Sequence, residues 1–126
     1  MDKQMNIAIH ETLNRIGMPH NLKGRLYVVS AIDKCAGDRN NLRGIVKGLY
    51  VKLAEENGDT PSRVERSIRN AIEVSWSRGN IDVINTIFGY TVSSDKGKPT
   101  NSEFIACLTD FMQLHYEEIA NGSYSW

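Results

Sequence analysis

Arg63, Glu65 and Arg66, followed by Arg69 and Asn70, are side chains able to read nucleic-acid bases. Arginine reaches the O6 and N7 of guanine with two hydrogen bonds, a carboxylate accepts from cytosine N4, and asparagine pairs with adenine. Each good bidentate contact contributes about 1–3 kcal/mol of discrimination between bases. At about 100° per residue, Val64, Ile68, Ala71 and Ser75 share one helical face, with Ile72 and Trp76 beside them. Arg66 falls opposite, flanked by Ser62, Arg69, Asn70 and Glu73. Arg63 and Glu65 border that polar face in the first turns, the end that a helix in the major groove points at base edges. An ordinary solvated amphipathic helix would share much of this pattern, and Ser67 is polar where a more regular pattern would be apolar.

The elements around these residues have the make-up of a helix-turn-helix. Ala54 is small enough for two helices to cross closely, Gly58 supports a tight turn, and Leu53 with Val64 can pack across the angle. Thr60 is the natural N-cap and Pro61 suits the first turn, while Ser62 with Glu65 offers a capping box in an alternative register. The recognition helix is thus expected over about 61–78. Upstream, Arg39, Arg43 and Lys47 recur every four residues, with Lys52 beyond, in a stretch without an acidic side chain. On one helix the first three would stack into a stripe suited to phosphate contacts, or to solubility alone.

The rest of the chain reads as helices too. Met5, Ile9, Leu13 and Ile16 mark a helix over 3–16, ended by Gly17 and Pro19. Asn21 is expected to cap a second, with Leu22, Leu26, Val29 and Ile32 inward, stopping near Gly37. A third is expected from about Asn40 to Asn57, with Leu42, Ile45, Leu49 and Leu53 inward. Asn80 should cap a short helix through Ile81, Ile84 and Ile87 to Gly89. A last helix should follow Thr100 or Asn101, with Phe104, Leu108, Phe111 or Met112, and Ile119 inward. Tyr90–Ser93 has some strand character, but one strand makes no sheet, and 93–99 suits a surface loop. The expected class is all-α, about six helices, in one domain over 1–126.

Composition excludes several functions. The 126 residues are 40% apolar and 24% charged, which is not the balance of a disordered tail. The apolar runs fall far short of the ~20 residues needed to span a bilayer. The N-terminus lacks the form of a secretory signal, so a cytoplasmic location without membrane contact is expected. Cys35 and Cys107 lie far apart and have no histidine at metal-ligand spacing, so two buried thiols and no metal or cofactor are expected. His10, His20 and His115 are equally scattered, and none of the familiar hydrolase, phosphate-loop or dinucleotide motifs occurs, so no catalysis is expected. The 15 basic and 15 acidic side chains cancel. Residues 101–126 hold four of the acids and no base, however, so residues 1–100 carry +4. Neutrality overall does not exclude DNA. It limits how much affinity bulk charge can supply.

Ser62–Asp82 (SRVERSIRNAIEVSWSRGNID), Phe88–Ser93 (FGYTVS) and Lys98–Ala106 (KPTNSEFIA) closely resemble the C-terminal DNA-binding domain of the sporulation master response regulator of endospore-forming bacteria. Ile16–Pro19, Lys23-Gly24 and Leu26-Tyr27 fit as well. The resemblance covers about 5–112, and the tail 116–126 lies outside it. It implies a six-helix effector domain that binds a short double-stranded DNA box, with two domains in tandem on adjacent boxes and RNA polymerase as a partner. Carried over by position, Arg63, Glu65 and Arg66 would read bases. Ser62, Arg69 and Asn70 would lie near the backbone, joined by Lys96 and Lys98 from the loop; the basic stripe of Arg39, Arg43 and Lys47 adds its own phosphate contacts. Family members usually have His where this chain has Asn70, and they carry a phosphoacceptor receiver domain and linker for which this chain has no room. The alternative is a helical interaction module that kept the fold but partners or antagonises a full-length relative, supported by Asn70 and by Tyr116, Tyr124 and Trp126 of the tail.

Overall fold

The computed structural model describes residues 2–43, 48–89 and 97–126. Its described residues form six α-helices: α1 (Lys3–Ile16), α2 (Lys23–Gly37), α3 (Tyr50–Asn57), α4 (Pro61–Arg78), α5 (Ile81–Phe88) and α6 (Asn101–Ala120). No strand occurs among them, and the expected strand-like Tyr90–Ser93 lies outside the described residues.

Local chemistry sets most of the boundaries. Asp2 caps α1 by accepting from the Gln4 N–H at 2.9 Å, and Gly17 closes that helix. Thr60 caps α4 through the Arg63 N–H at 3.2 Å, so the Ser62–Glu65 alternative is not used. Asn80 caps α5 through the N–H groups of Asp82 and Val83. At α6, Thr100 and Glu103 form a reciprocal capping box, which satisfies two otherwise orphan donors.

α2 lies at the centre, against α4 and α6 and also against α1. It buries Tyr27, Val28, Val29, Ala31, Ile32 and Cys35, more than one face of a helix. Two expectations fail there. Leu22 rather than Asn21 occupies the N-cap, without a side-chain hydrogen bond, and Leu26 is 54% exposed. A helix touched on several sides has no single apolar stripe from which to read an inward face. Arg25 fills part of the buried surface. Its guanidinium donates to Met18 O at 2.7 Å, Asn14 Oδ1 at 2.9 Å and the ring of His10 at 3.1 Å, placing the cation by the C-terminal end of α1, where the helix dipole favours it. Burial, then Arg25, then His20 lower the pKa of His10, which keeps its ring a neutral acceptor.

Among the described residues the expected helix over 40–57 is not a continuous α-helix. Residues Arg39–Leu42 form a 3-10 turn capped by Asp38, and α3 begins at Tyr50 after a π-helical turn at Gly48 and Leu49. Ile45 and Lys47 lie outside the described residues. Ile81, expected inward, is 69% exposed at the first position of α5, where Asn80 rather than packing fixes the helix start.

Trp76, Phe88 and Phe104 join α4, α5 and α6 in an aromatic cluster with ring separations of 5.0, 6.0 and 5.3 Å. Cys35 is buried and Cys107 only partly so. Burial pushes the Cys35 thiol up to about 11, leaving it an inert core group. The tail turns back after Ala120. Tyr124 and Trp126 pack on Phe111 at 5.5 and 6.0 Å, and Arg15 sits 5.3 Å over the Trp126 ring.

Candidate nucleic-acid interface

α3 and α4 are joined by three residues, Gly58 to Thr60. Gly58 adopts φ 62°, a left-handed conformation that glycine takes without steric cost. The N–H groups of Gly58 and Asp59 both donate to Ala54 O, closing α3 tightly. Leu53, Ala54 and Val64 are buried at the crossing, as their types and spacing predict.

Asp59 fixes the turn to the body of the protein. Its carboxylate accepts from the Tyr27 hydroxyl at 2.5 Å, the Lys23 ammonium at 2.9 Å and the Thr60 N–H at 2.9 Å, with its side chain only 3% exposed. The Tyr27 and Lys23 hydrogen bonds, followed by that of Thr60, hold the carboxyl well below its ordinary range. α4 itself is fixed from α2 by a close backbone approach. A Cβ on Gly24 would lie 1.9 Å from Ser67 O and 2.9 Å from the Ala71 Cβ, so only glycine fits. This also explains the polar Ser67 on an otherwise apolar border: its backbone, rather than a large apolar side chain, meets α2.

Against this scaffold the base-reading candidates separate. Arg63 and Arg66 are exposed, and among the described residues neither guanidinium has a hydrogen-bond or ion-pair partner. Glu65 is half-buried and accepts from Arg69 at 2.8 Å, an i,i+4 pair along the helix. Ser62 and Asn70 are exposed on the same outer side of α4. Lys98 reaches Glu73 of α4 at 2.6 Å, and that cation, through its hydrogen bond first, lowers the Glu73 carboxyl.

Of the basic stripe, the described Arg39 and Arg43 do not stand on an α-helix. Arg39 stands in the 3-10 turn and pairs with Asp110 of α6 at 2.7 Å as well as with Gln113. Arg43 follows that turn and is exposed. Lys47 and Lys96 lie outside the described residues. Sequence reasoning missed Asn101. Its amide donates to the Tyr50 hydroxyl and to Glu65 O, both at 3.0 Å, joining α6 to both helices of the pair. No side-chain periodicity reveals such a bond, because it links three distant segments.

Among the described residues no His, Cys, Asp and Glu cluster fits a metal, and no helix is long and apolar enough to cross a membrane. Two helices across a three-residue turn, the second carrying exposed arginines at its start, are compatible with a helix-turn-helix. The family model described as sporulation initiation factor Spo0A C terminal matches residues 9–112. The chain belongs to that family, whose domain is a DNA-binding effector unit of a sporulation regulator.

Proposed function

We propose that the chain is a sequence-specific regulator of transcription that lays α4 in the major groove, with Arg63, Glu65 and Arg66 reading bases. The observation that carries this reading is the pair of exposed arginines at the start of α4 that have no side-chain partner among the described residues, beside neighbours already engaged in ion pairs. A free guanidinium meets DNA without first breaking an internal contact. Ser62, Arg69 and Asn70 flank the reading surface, and Arg43, Lys47 and Lys96 serve the phosphates, with Lys98 contributing less because Glu73 already pairs with it. Arg39 contributes less, because Asp110 already neutralises it. A second copy on an adjacent box and contact with RNA polymerase belong to the same reading, as does action in the cytoplasm, where the DNA is. The alternative of an interaction module rested partly on the tail aromatics, but Tyr124 and Trp126 pack on the domain's own Phe111.

Selection of bound sites from a random duplex pool supplies the test. The chain should enrich one short box, and Arg66→Ala should cut the ratio of cognate to scrambled affinity by about 5- to 150-fold, the equivalent of 1–3 kcal/mol. Its melting temperature should stay unchanged, since an exposed, unpaired side chain contributes little to stability. An Arg66→Ala protein with the original ratio would remove α4 from the reading role.

A further inference from the structure

Asn101 is the first residue of α6, yet its side chain serves the other two helices. One N–H of its amide goes to Glu65 O and the other to the Tyr50 hydroxyl. The amide orientation is fixed by chemistry, because a backbone carbonyl only accepts and must therefore face the nitrogen. Tyr50 is 2% exposed, so this partner cannot swing away to water. Glu65 is consequently held twice, through its carbonyl by Asn101 and through its carboxylate by Arg69 at 2.8 Å. Its position lies between Arg63 and Arg66, which are exposed and have no side-chain partner among the described residues.

We infer that Asn101 is a positioning residue for base recognition: by bonding Tyr50 of α3 and the Glu65 carbonyl of α4, it sets the height and rotation of the first turns of α4. This rests on α4 being the reading helix. Base contacts demand placement to a few tenths of an ångström, whereas phosphate contacts through long, flexible side chains do not. Loss of the Asn101 bonds should therefore act on discrimination and leave non-specific binding nearly intact.

Asn101→Asp is the sharpest variant. It preserves size and puts a carboxylate in the first turn of α6, where the helix dipole favours it, but offers no donor to the Glu65 carbonyl. Affinities for the selected box and for a scrambled duplex of equal composition are measured well below the melting temperature. The cognate-to-scrambled ratio should fall about tenfold, the size of one misplaced bidentate contact, with the scrambled affinity and its salt dependence unchanged. Tyr50→Phe, which removes one oxygen, should lower the ratio in the same direction by less. An unfolded fraction lowers both affinities alike and cannot move the ratio, so simple destabilisation does not imitate this result. A ratio unchanged in Asn101→Asp, while Arg66→Ala abolishes it, overturns the positioning role alone. A wild-type chain that prefers no duplex overturns this role together with the proposed function.

Discussion

Arg66 on α4 and Arg39 in the turn before α3 look alike in sequence, each an arginine on a basic, polar stretch. Their surroundings differ. Arg66 stands exposed with no partner among the described residues, while Arg39 is bridged to Asp110 and Gln113 of α6. Arg25 is a third case, 3% exposed and bonded to main-chain and side-chain acceptors of α1 and the turn after it. A count of basic residues treats the three as equal. Only the first is available to DNA without a rearrangement. Net charge thus says little about an interface when acids from a distant helix fold onto the bases.

The comparison breaks first at the scaffold that keeps Arg63 and Arg66 outward. Gly24→Ala should improve the intrinsic helix propensity of α2 by about 1 kcal/mol, yet destabilise the protein by about 1–3 kcal/mol overall because the new methyl meets the Ser67 carbonyl. Urea denaturation reads the sign, and a stabilised variant would show that α2 and α4 do not touch there. Next comes the turn. Asp59 has a lowered pKa in the fold, so its contribution is fully present above the ordinary carboxylate value of 3.8 and is lost as pH falls below it. Asp59→Asn should therefore lower the urea midpoint at neutral pH and approach the wild type as the pH is taken down. A gap that stays constant with pH would remove the carboxylate from its stabilising role. The smallest effect sharpens the comparison itself. Arg43→Ala should reduce the salt slope of DNA binding by about one, and Arg39→Ala should change it by less, because its charge already meets Asp110. Equal slopes for the two variants would mean that the Arg39 pair opens on DNA.

Much of the fold was legible in residue types. The ends of α1, α4 and α6 follow from Gly17, Thr60-Pro61 and Thr100 with Glu103, which act within a few residues of themselves. Where reading failed, neighbours from elsewhere in the chain decided. Leu26 points outward because the central α2 gives its other sides to three helices. The single helix expected over 40–57 is replaced at 39–42 by a 3-10 turn, for which a four-residue basic spacing carries no signal. Of the interface, the identities of Arg63, Glu65 and Arg66 were readable, since base-reading chemistry resides in the side chains. Their differing freedom was not, nor was the part of Asn101.

By itself, the sequence determined the all-α class, the N-caps of α4, α5 and α6, the tight turn at Gly58 and the chemistry presented by α4. These depend on local conformation and on side-chain type, which travel with the residue. Tertiary structure alone decided which charges stay free, why Gly24 and Ser67 stand opposite each other, and how Asn101 binds α3 and α4 together. Those outcomes depend on distances between segments far apart in the chain, and packing is what sets such distances.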